Sequence, residues 1–385
     1  MVRPRDDYDS APWYFNRSKE VKISSTAQSR PTHLPNVPYR LTRLGIIMSG
    51  DPSVPYEVEG VLNPATAWGT DGELYLYPRM VAEGNVSRVG KARVVVVDGV
   101  PTRVERQGVV LEPVRPWEHG LRHGGVEDPR ITWMPSLNVH VMTYVAFGPF
   151  GPRPAIAISH DLESWARLGP FQFEYDDALE IDLNLYPNKD VVFFPEAVPD
   201  PDGRPSYAVI HRPMWEFGFT RTDEVAALPA GTTDSRASIW ISYIPEEDVR
   251  ADISALTRPR GHRFVAGSQF EWESLKVGGG PPPIRVDEGW LLIHHGVAGK
   301  IGDDPFVPQT DVFYSAGALI LSAADPSQVI ARTPEPLLVP ETPDELVGTV
   351  GNVVFPTAIE SIEGKHYVFY GMADAKIGVA LLERT

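Results

Sequence analysis

Five times between residues 63 and 370 a proline beside an apolar-rich bend is followed by a short polar turn and a run of alternating aromatic and β-branched residues that ends in a polar or charged side chain. The copies are Asn63-Pro64 to Trp68 with Glu73 to Arg79, Asp128-Pro129 to Trp133 with Val139 to Tyr144, and Phe194-Pro195 to Val198 with Tyr207 to Arg212. Pro283 to Val286 with Trp290 to His295, and Phe355-Pro356 to Ile359 with Tyr367 to Tyr370, complete the set. The prolines are 65, 66, 88 and 73 residues apart, a spacing that suits one four-stranded sheet per repeat with insertions. The expected fold is all-β, a five-bladed β-propeller over residues 41–385, preceded by a polar arm rich in proline and arginine over 1–40.

Composition narrows the function. The 38 prolines and 33 glycines fit many turns between short strands, and a helical pattern is expected only for a turn or two around Pro245 to Leu256. Residues 220–237 read as a loop of the kind that shapes a pocket or an oligomer contact, so a homo-oligomer is compatible with the chain. A net charge of −16 disfavours nucleic acid and anionic membranes as partners, so any anion site must be local. No transmembrane run and no secretory signal are visible, and with no cysteine there are neither disulfides nor thiolate metal sites; the expectation is a cytoplasmic protein.

In a propeller, polar residues at the same position of successive repeats converge on one axis. Asn63, Asp128 and Glu196 stand at the bends, and Arg79, His211, Arg212, His294, His295 and Asp374 at strand ends. Glu127-Asp128-Pro129-Arg130 is the sharpest motif. Asp-Pro commonly only starts a turn, but a carboxylic acid among apolar walls has a raised pKa and can protonate a leaving-group oxygen. Lys189, Arg212 and Lys276 lie in separate segments; each alone reads as a surface cation, together as a pocket for an oxyanion. Gly278-Gly279-Gly280 would let backbone N–H groups approach a ligand, or simply turn the chain. Adjacent histidines on a strand point to opposite faces, which argues against a catalytic zinc at His294-His295, and there is no Gly-x-Ser-x-Gly elbow. Trp165, Trp215, Trp240, Trp272 and Trp290 are expected to pack between blades.

An ordered set of motifs then resembles glycoside hydrolase family 130. It includes Asn63-Pro64, the strand ending at Arg79, Gly125 to Arg130, Ser159-His160-Asp161-Leu162, Asn188-Lys189-Asp190, Phe194-Pro195-Glu196, His211-Arg212-Pro213, Lys276 to Ile284, His295-Gly296-Val297 and Tyr370 to Asp374. The resemblance covers roughly residues 40–385. It implies a five-bladed propeller and an inverting β-mannoside phosphorylase that uses inorganic phosphate as co-substrate, needs no cofactor or metal, and releases α-mannose 1-phosphate from β-manno-oligosaccharides. It further implies Asp128 as the general acid, acting directly or through a hydroxyl of the bound mannose. Lys189, Arg212 and Lys276 would hold phosphate, and Asn63, Arg79, Glu196, His295 and Asp374 the sugar. A hydrolytic branch, the β-1,2-mannosidases, would instead need a carboxylate base, for which Glu196 and Glu273 stand in suitable motifs. A non-catalytic sugar-binding propeller is the third reading.

Overall fold

The structure, a computed structural model, describes residues 34–120, 123–215, 227–300 and 311–385. A compact unit spans Pro35–Thr385. The arm expected over 1–40 lies outside the described residues up to residue 33, as does the first part of the loop expected at 220–237; from 227 onward that loop has neither helix nor strand.

The chain is all-β. It opens with β1 (Tyr39–Ser49), then forms a meander of β2 (Gly60–Trp68), β3 (Leu74–Ala82), β4 (Val86–Val97) and β5 (Val100–Leu111). A second meander holds β6 (Gly124–Met134), β7 (Val139–Gly148), β8 (Gly151–Ser159) and β9 (Ala166–Pro170). The third is built from β10 (Asn188–Phe193), a short β11 (Val198–Pro199), β12 (Pro205–Pro213), β13 (Ile239–Pro245) and β14 (Arg260–Ala266). The fourth comprises β15 (Lys276–Gly279), a short β16 (Ile284–Val286), β17 (Gly289–Gly299), β18 (Val312–Leu321) and β19 (Val329–Arg332). The last contains β20 (Val354–Ile362), β21 (Lys365–Met372) and β22 (Lys376–Arg384), and β1 completes it by pairing antiparallel with β22 from Tyr39↔Arg384 to Ser49↔Lys376. Two parallel pairs, Val86↔Gly124 and Ser87↔Gly125, join the first two meanders into one eight-stranded sheet. The expected helical turns appear as a helix at Glu246–Ala251 and a 3₁₀ turn at Ile253–Thr257. Among the described residues no helix is long and apolar enough to cross a membrane.

The aromatic and β-branched run of each repeat is the second long strand of its meander, and it reads as unbroken because both of its faces are buried. Alternation sends successive side chains into different cores. On β12, Tyr207 and Val209 pack with Met134, Val141 and Ile156 of the second meander, while Ala208 and Ile210 pack with Leu292, Leu319 and Leu321 of the fourth. On β21, Val368 and Tyr370 meet Leu291 and Ile293 of the fourth meander, and Tyr367 and Phe369 meet Val61 and Leu76 of the first. Tyr75 and Tyr77 pack with Met142 and Tyr144 between the first and second. Each meander therefore packs on its two neighbours in chain order, and the last packs back on the first. Burying one such side chain is worth about 1.5–3 kcal/mol. Trp165, Trp215, Trp240 and Trp290 are buried in this way.

Candidate active site

The site is built on a backbone device repeated in the first strand of the meanders. The ladder skips between Leu62 and Ala65 on β2, between Glu127 and Arg130 on β6, and between Lys189 and Val192 on β10. At each bulge one residue takes left-handed backbone: Asn63 (φ 42°), Asp128 (φ 48°) and Asp190 (φ 55°). Asn and Asp are the non-glycine residues that tolerate this conformation best, and a bulge re-aims the side chain it carries. Pro64 and Pro129 follow directly, which costs nothing where the ladder is already broken. The third copy has no proline at its bulge. Its true anchor is Asp190, and Pro195 follows the end of β10 instead.

Around these bulges lies a network of buried charge. The Asn63 amide donates to Asp128 Oδ1 at 2.8 Å, and Arg79 Nη1 donates to the same oxygen at 3.1 Å. Arg79 Nη2 reaches Glu127 Oε1 at 2.9 Å and its Nε reaches Ser87 Oγ at 2.8 Å. Lys189 Nζ stands 3.6 Å from Glu127 Oε2. Arg130 donates to the carbonyl oxygens of Asp128 (2.7 Å) and Gly280 (3.2 Å), and its Nη2 lies 3.7 Å from Asp190. Asp190 also accepts from Arg212 Nε and lies 3.6 Å from His295 Nε2. Lys189 and Arg212 face each other across the β10–β12 ladder.

Lys276 joins from β15. It stands two residues before Gly278, on the same face of the strand, and Gly278 pairs with His295. A Cβ on Gly278 would come within 2.2 Å of Asp190 Oδ2 and 2.5 Å of the His295 ring, so this glycine makes room for both. Lys276 Nζ sits 5.4 Å above the Tyr314 ring, and no ion pair ties it down among the described residues. Gly371 has a parallel job, because a Cβ there would meet Asn63 Oδ1 at 2.1 Å.

Electrostatics divides the carboxylates. Burial opposes the charge on Asp128, but Arg79, Lys189 and Arg130, with the Asn63 hydrogen bond, outweigh it and hold the carboxyl down at about 2. This corrects the expectation of a raised pKa among apolar walls: the surroundings of Asp128 are cationic. Burial is also opposed at Asp190, where Arg212 and Arg130 hold the carboxyl below its usual range. Asp374 goes the other way. Its burial, with the like charges of Asp128 and Glu127, pushes it up to about 6 against the pull of Arg79 and Lys189. Asp374 is half-buried and keeps part of its surface open to solvent. Burial holds His295 neutral.

Asn63, Arg79, Asp128, Lys189, Arg212, Lys276, His295 and Asp374 therefore share one neighbourhood. Glu196 does not. It is exposed on the turn after β10, opposite Tyr207 and Ala208, which at about 3.3 Å per residue puts it roughly 15 Å along the sheet from Arg212. Glu273 is committed elsewhere: it is fully buried, accepts from His294 Nε2 at 3.0 Å and from Arg332 Nη2 at 2.6 Å, and lies outside this network. Sequence reasoning assigned no role to Glu127, Arg130 and Asp190. All three lay inside quoted motifs, and the signal was the shared pattern of an Asn or Asp at mid-strand, which Asn63, Asp128 and Asp190 display.

Comparison with known proteins bears on this arrangement. The chain matches glycoside hydrolase family 130, described as β-1,4-mannooligosaccharide phosphorylase, over residues 35–384. It is 30% identical over 357 residues to a β-1,2-mannobiose phosphorylase of Thermoanaerobacter sp., covering 90% of this chain and 98% of that protein. Its fold is similar to that of β-1,2-mannobiose phosphorylase from Listeria innocua in complex with β-1,2-mannobiose (TM-score 0.55, 22% identity, 91% and 92% of the two chains). It is also similar to a structure of a family that contains hydrolases targeting β-1,2-mannosidic linkages in Candida mannan (TM-score 0.61, 23% identity, 91% and 96%). This chain belongs to glycoside hydrolase family 130.

Proposed function

We propose that the chain is an inverting β-mannoside phosphorylase and that its five meanders are the blades of one propeller with the site near its axis. The ring of five cores, the last joining β20–β22 to the first meander, supports the propeller. The observation that carries the chemistry is the balance of charge around Asp128. Among the described residues Arg79, Arg130, Lys189, Arg212 and Lys276 stand beside Glu127, Asp128, Asp190 and Asp374, within a protein whose net charge is −16. Such a local excess of cations suits an incoming phosphate.

In this reading Asn63, Arg79, His295 and Asp374 hold the terminal mannose, and Lys189, Arg212 and Lys276 hold phosphate on the face away from the leaving group. A phosphate oxygen attacks the anomeric carbon, the glycosidic C–O bond breaks, and the departing oxygen takes a proton from Asp128 directly or through a hydroxyl of the sugar. The cations that hold Asp128 low include Lys189, which would face phosphate. A bound phosphate dianion offsets Lys189 and the neighbouring guanidinium groups, so the carboxyl rises toward the range in which it carries a proton. Phosphorolysis also agrees with the state of the other acids. Hydrolysis would require a carboxylate free to accept a proton from water; among the described acids Glu127, Asp128 and Asp190 are each tied to a cation and Glu196 and Glu273 lie elsewhere, which leaves Asp374, and in this reading Asp374 is engaged by the sugar.

The test is product analysis. Incubation with β-1,2- and β-1,4-linked mannobiose should yield α-mannose 1-phosphate only when inorganic phosphate is present, and Lys276→Met should raise the KM for phosphate. Equal turnover to free mannose without phosphate would assign the chain to the hydrolytic branch.

A further inference from the structure

The third meander carries a buried polar chain that the proposed chemistry does not use. Asn188, His211, Ser242 and His262 lie on β10, β12, β13 and β14, and none is more than 1% exposed. Each touches the next. Arg212 N–H donates to Asn188 Oδ1 at 3.1 Å, and the Asn188 amide nitrogen meets His211 Nδ1 at 3.1 Å. His211 Nε2 meets Ser242 Oγ at 2.8 Å, Ser242 Oγ meets His262 Nδ1 at 2.7 Å, and His262 Nε2 meets the Glu174 carbonyl oxygen at 2.8 Å.

Chemistry fixes the direction of every link. Because Asn188 Oδ1 accepts from the Arg212 backbone, its NH₂ group must donate, so His211 Nδ1 is a bare acceptor and His211 Nε2 carries the proton. That proton goes to Ser242 Oγ, whose own hydrogen goes to His262 Nδ1, leaving His262 Nε2–H for the backbone carbonyl of Glu174. All five donors find acceptors with both imidazoles neutral, the state that burial favours for each. Turning any one member round would set two donors or two acceptors against each other in a buried site.

We propose that this one-way relay is a positioning device for the anion cradle, locking the Asn188 amide and through it the segment that presents Lys189, Asp190 and Arg212. Asn188 is the residue before Lys189 and is bonded to the backbone of Arg212, so its orientation sets where both cations stand. The proposal rests on the reading of Lys189, Arg212 and Lys276 as the phosphate cradle, and it assigns Asn188, His211, Ser242 and His262 no contact with substrate.

The test is Ser242→Ala, which deletes the hydroxyl that accepts one link and donates the next. The KM for inorganic phosphate should rise about fivefold, the ratio that one net hydrogen bond of ordinary size corresponds to, while the KM for β-mannobiose and kcat each move less than twofold. Ser242→Thr, which keeps the hydroxyl, should restore the phosphate KM. Lys276→Met, outside the relay, serves as the control: if it leaves the phosphate KM unchanged, the cradle reading fails. If Lys276→Met raises that KM and Ser242→Ala does not, or if Ser242→Ala raises both KM values together or lowers only the melting temperature, the relay proposal is overturned. Should Ser242→Ala not fold, His262→Phe, which removes the acceptor while filling the space, carries the same expectation. Independently, ¹⁵N imidazole shifts of the wild-type protein should show Nδ1 bare and Nε2 protonated in both His211 and His262; a protonated Nδ1 in either would also overturn it.

Discussion

Arg212 is asked to do two things, to neutralise Asp190 and to bind phosphate, and a double substitution separates them. In Arg212→Ala the Asp190 carboxylate, whose side chain is 2% exposed, loses its hydrogen-bonded partner. What remains is Arg130 at 3.7 Å and the neutral His295 at 3.6 Å. Breaking a buried pair by removing one member costs about 3–5 kcal/mol, because the other charge stays behind without its partner. With an unfolding entropy of about 2.1 cal/mol/K per residue over roughly 350 residues, that loss lowers the melting temperature by about 4–7 °C. Adding Asp190→Asn removes the stranded charge. Asparagine fits the left-handed backbone there, as Asn63 does at the matching bulge. The double variant should recover more than half of the lost stability, a coupling on the order of 2 kcal/mol, while its KM for phosphate stays as high as that of Arg212→Ala. Thermal melts and phosphate titrations of the four proteins decide the matter. If Arg212→Ala melts within a degree of wild type, or the double variant melts no higher than the single, the ion pair is not what holds this part of the site.

Other consequences follow from the same geometry. Gly278→Ala should abolish most turnover, because its Cβ would lie 2.2 Å from Asp190 Oδ2 and must push apart the Asp190–His295 contact; steady-state assays against a Gly72→Ala control, at a positive-φ glycine with open space around it, would register this. Glu196→Ala, on its exposed turn, should leave both KM values and kcat within twofold of wild type; a loss of sugar affinity would return Glu196 to the site. The pH dependence of stability should carry two opposite signatures. Asp374, pushed up to about 6, holds a proton in the folded protein that the unfolded chain has already released, so stability falls as pH rises from about 4 to about 6. Asp374→Asn should flatten that window in chemical denaturation. Asp128, held at about 2, contributes stability that is complete above about pH 4 and is lost as pH falls toward 2. Asp128→Asn should make that acid limb shallower, with Asp190 and Glu273, also held low, supplying what remains.

How far the sequence speaks for this site depends on whether a residue's role is written beside it or across the fold. The strands around Tyr207 to Ile210 and Tyr367 to Tyr370 were legible because burial on both faces leaves an unbroken apolar run, a local signature. The bulges at Asn63 and Asp128 were legible because a proline marks each one. Asp190 performs the same backbone act without the proline, and the Phe194-Pro195 pair nearby imitates the missing mark, which is how Glu196 came to be favoured over a buried acid six residues earlier. Charge states were not legible at all. Whether Asp128 sits low or high is set by Arg79 and Lys189, which are distant in sequence and brought beside it only when neighbouring meanders pack. Spacing within one strand cannot report a field assembled from three. The triple glycine illustrates the limit: from the sequence it offers backbone to a ligand, whereas in the fold Gly278 is small so that a carboxylate and an imidazole can meet above it. A motif therefore names which atoms a site can use, and only the packing of the meanders decides which of them face one another.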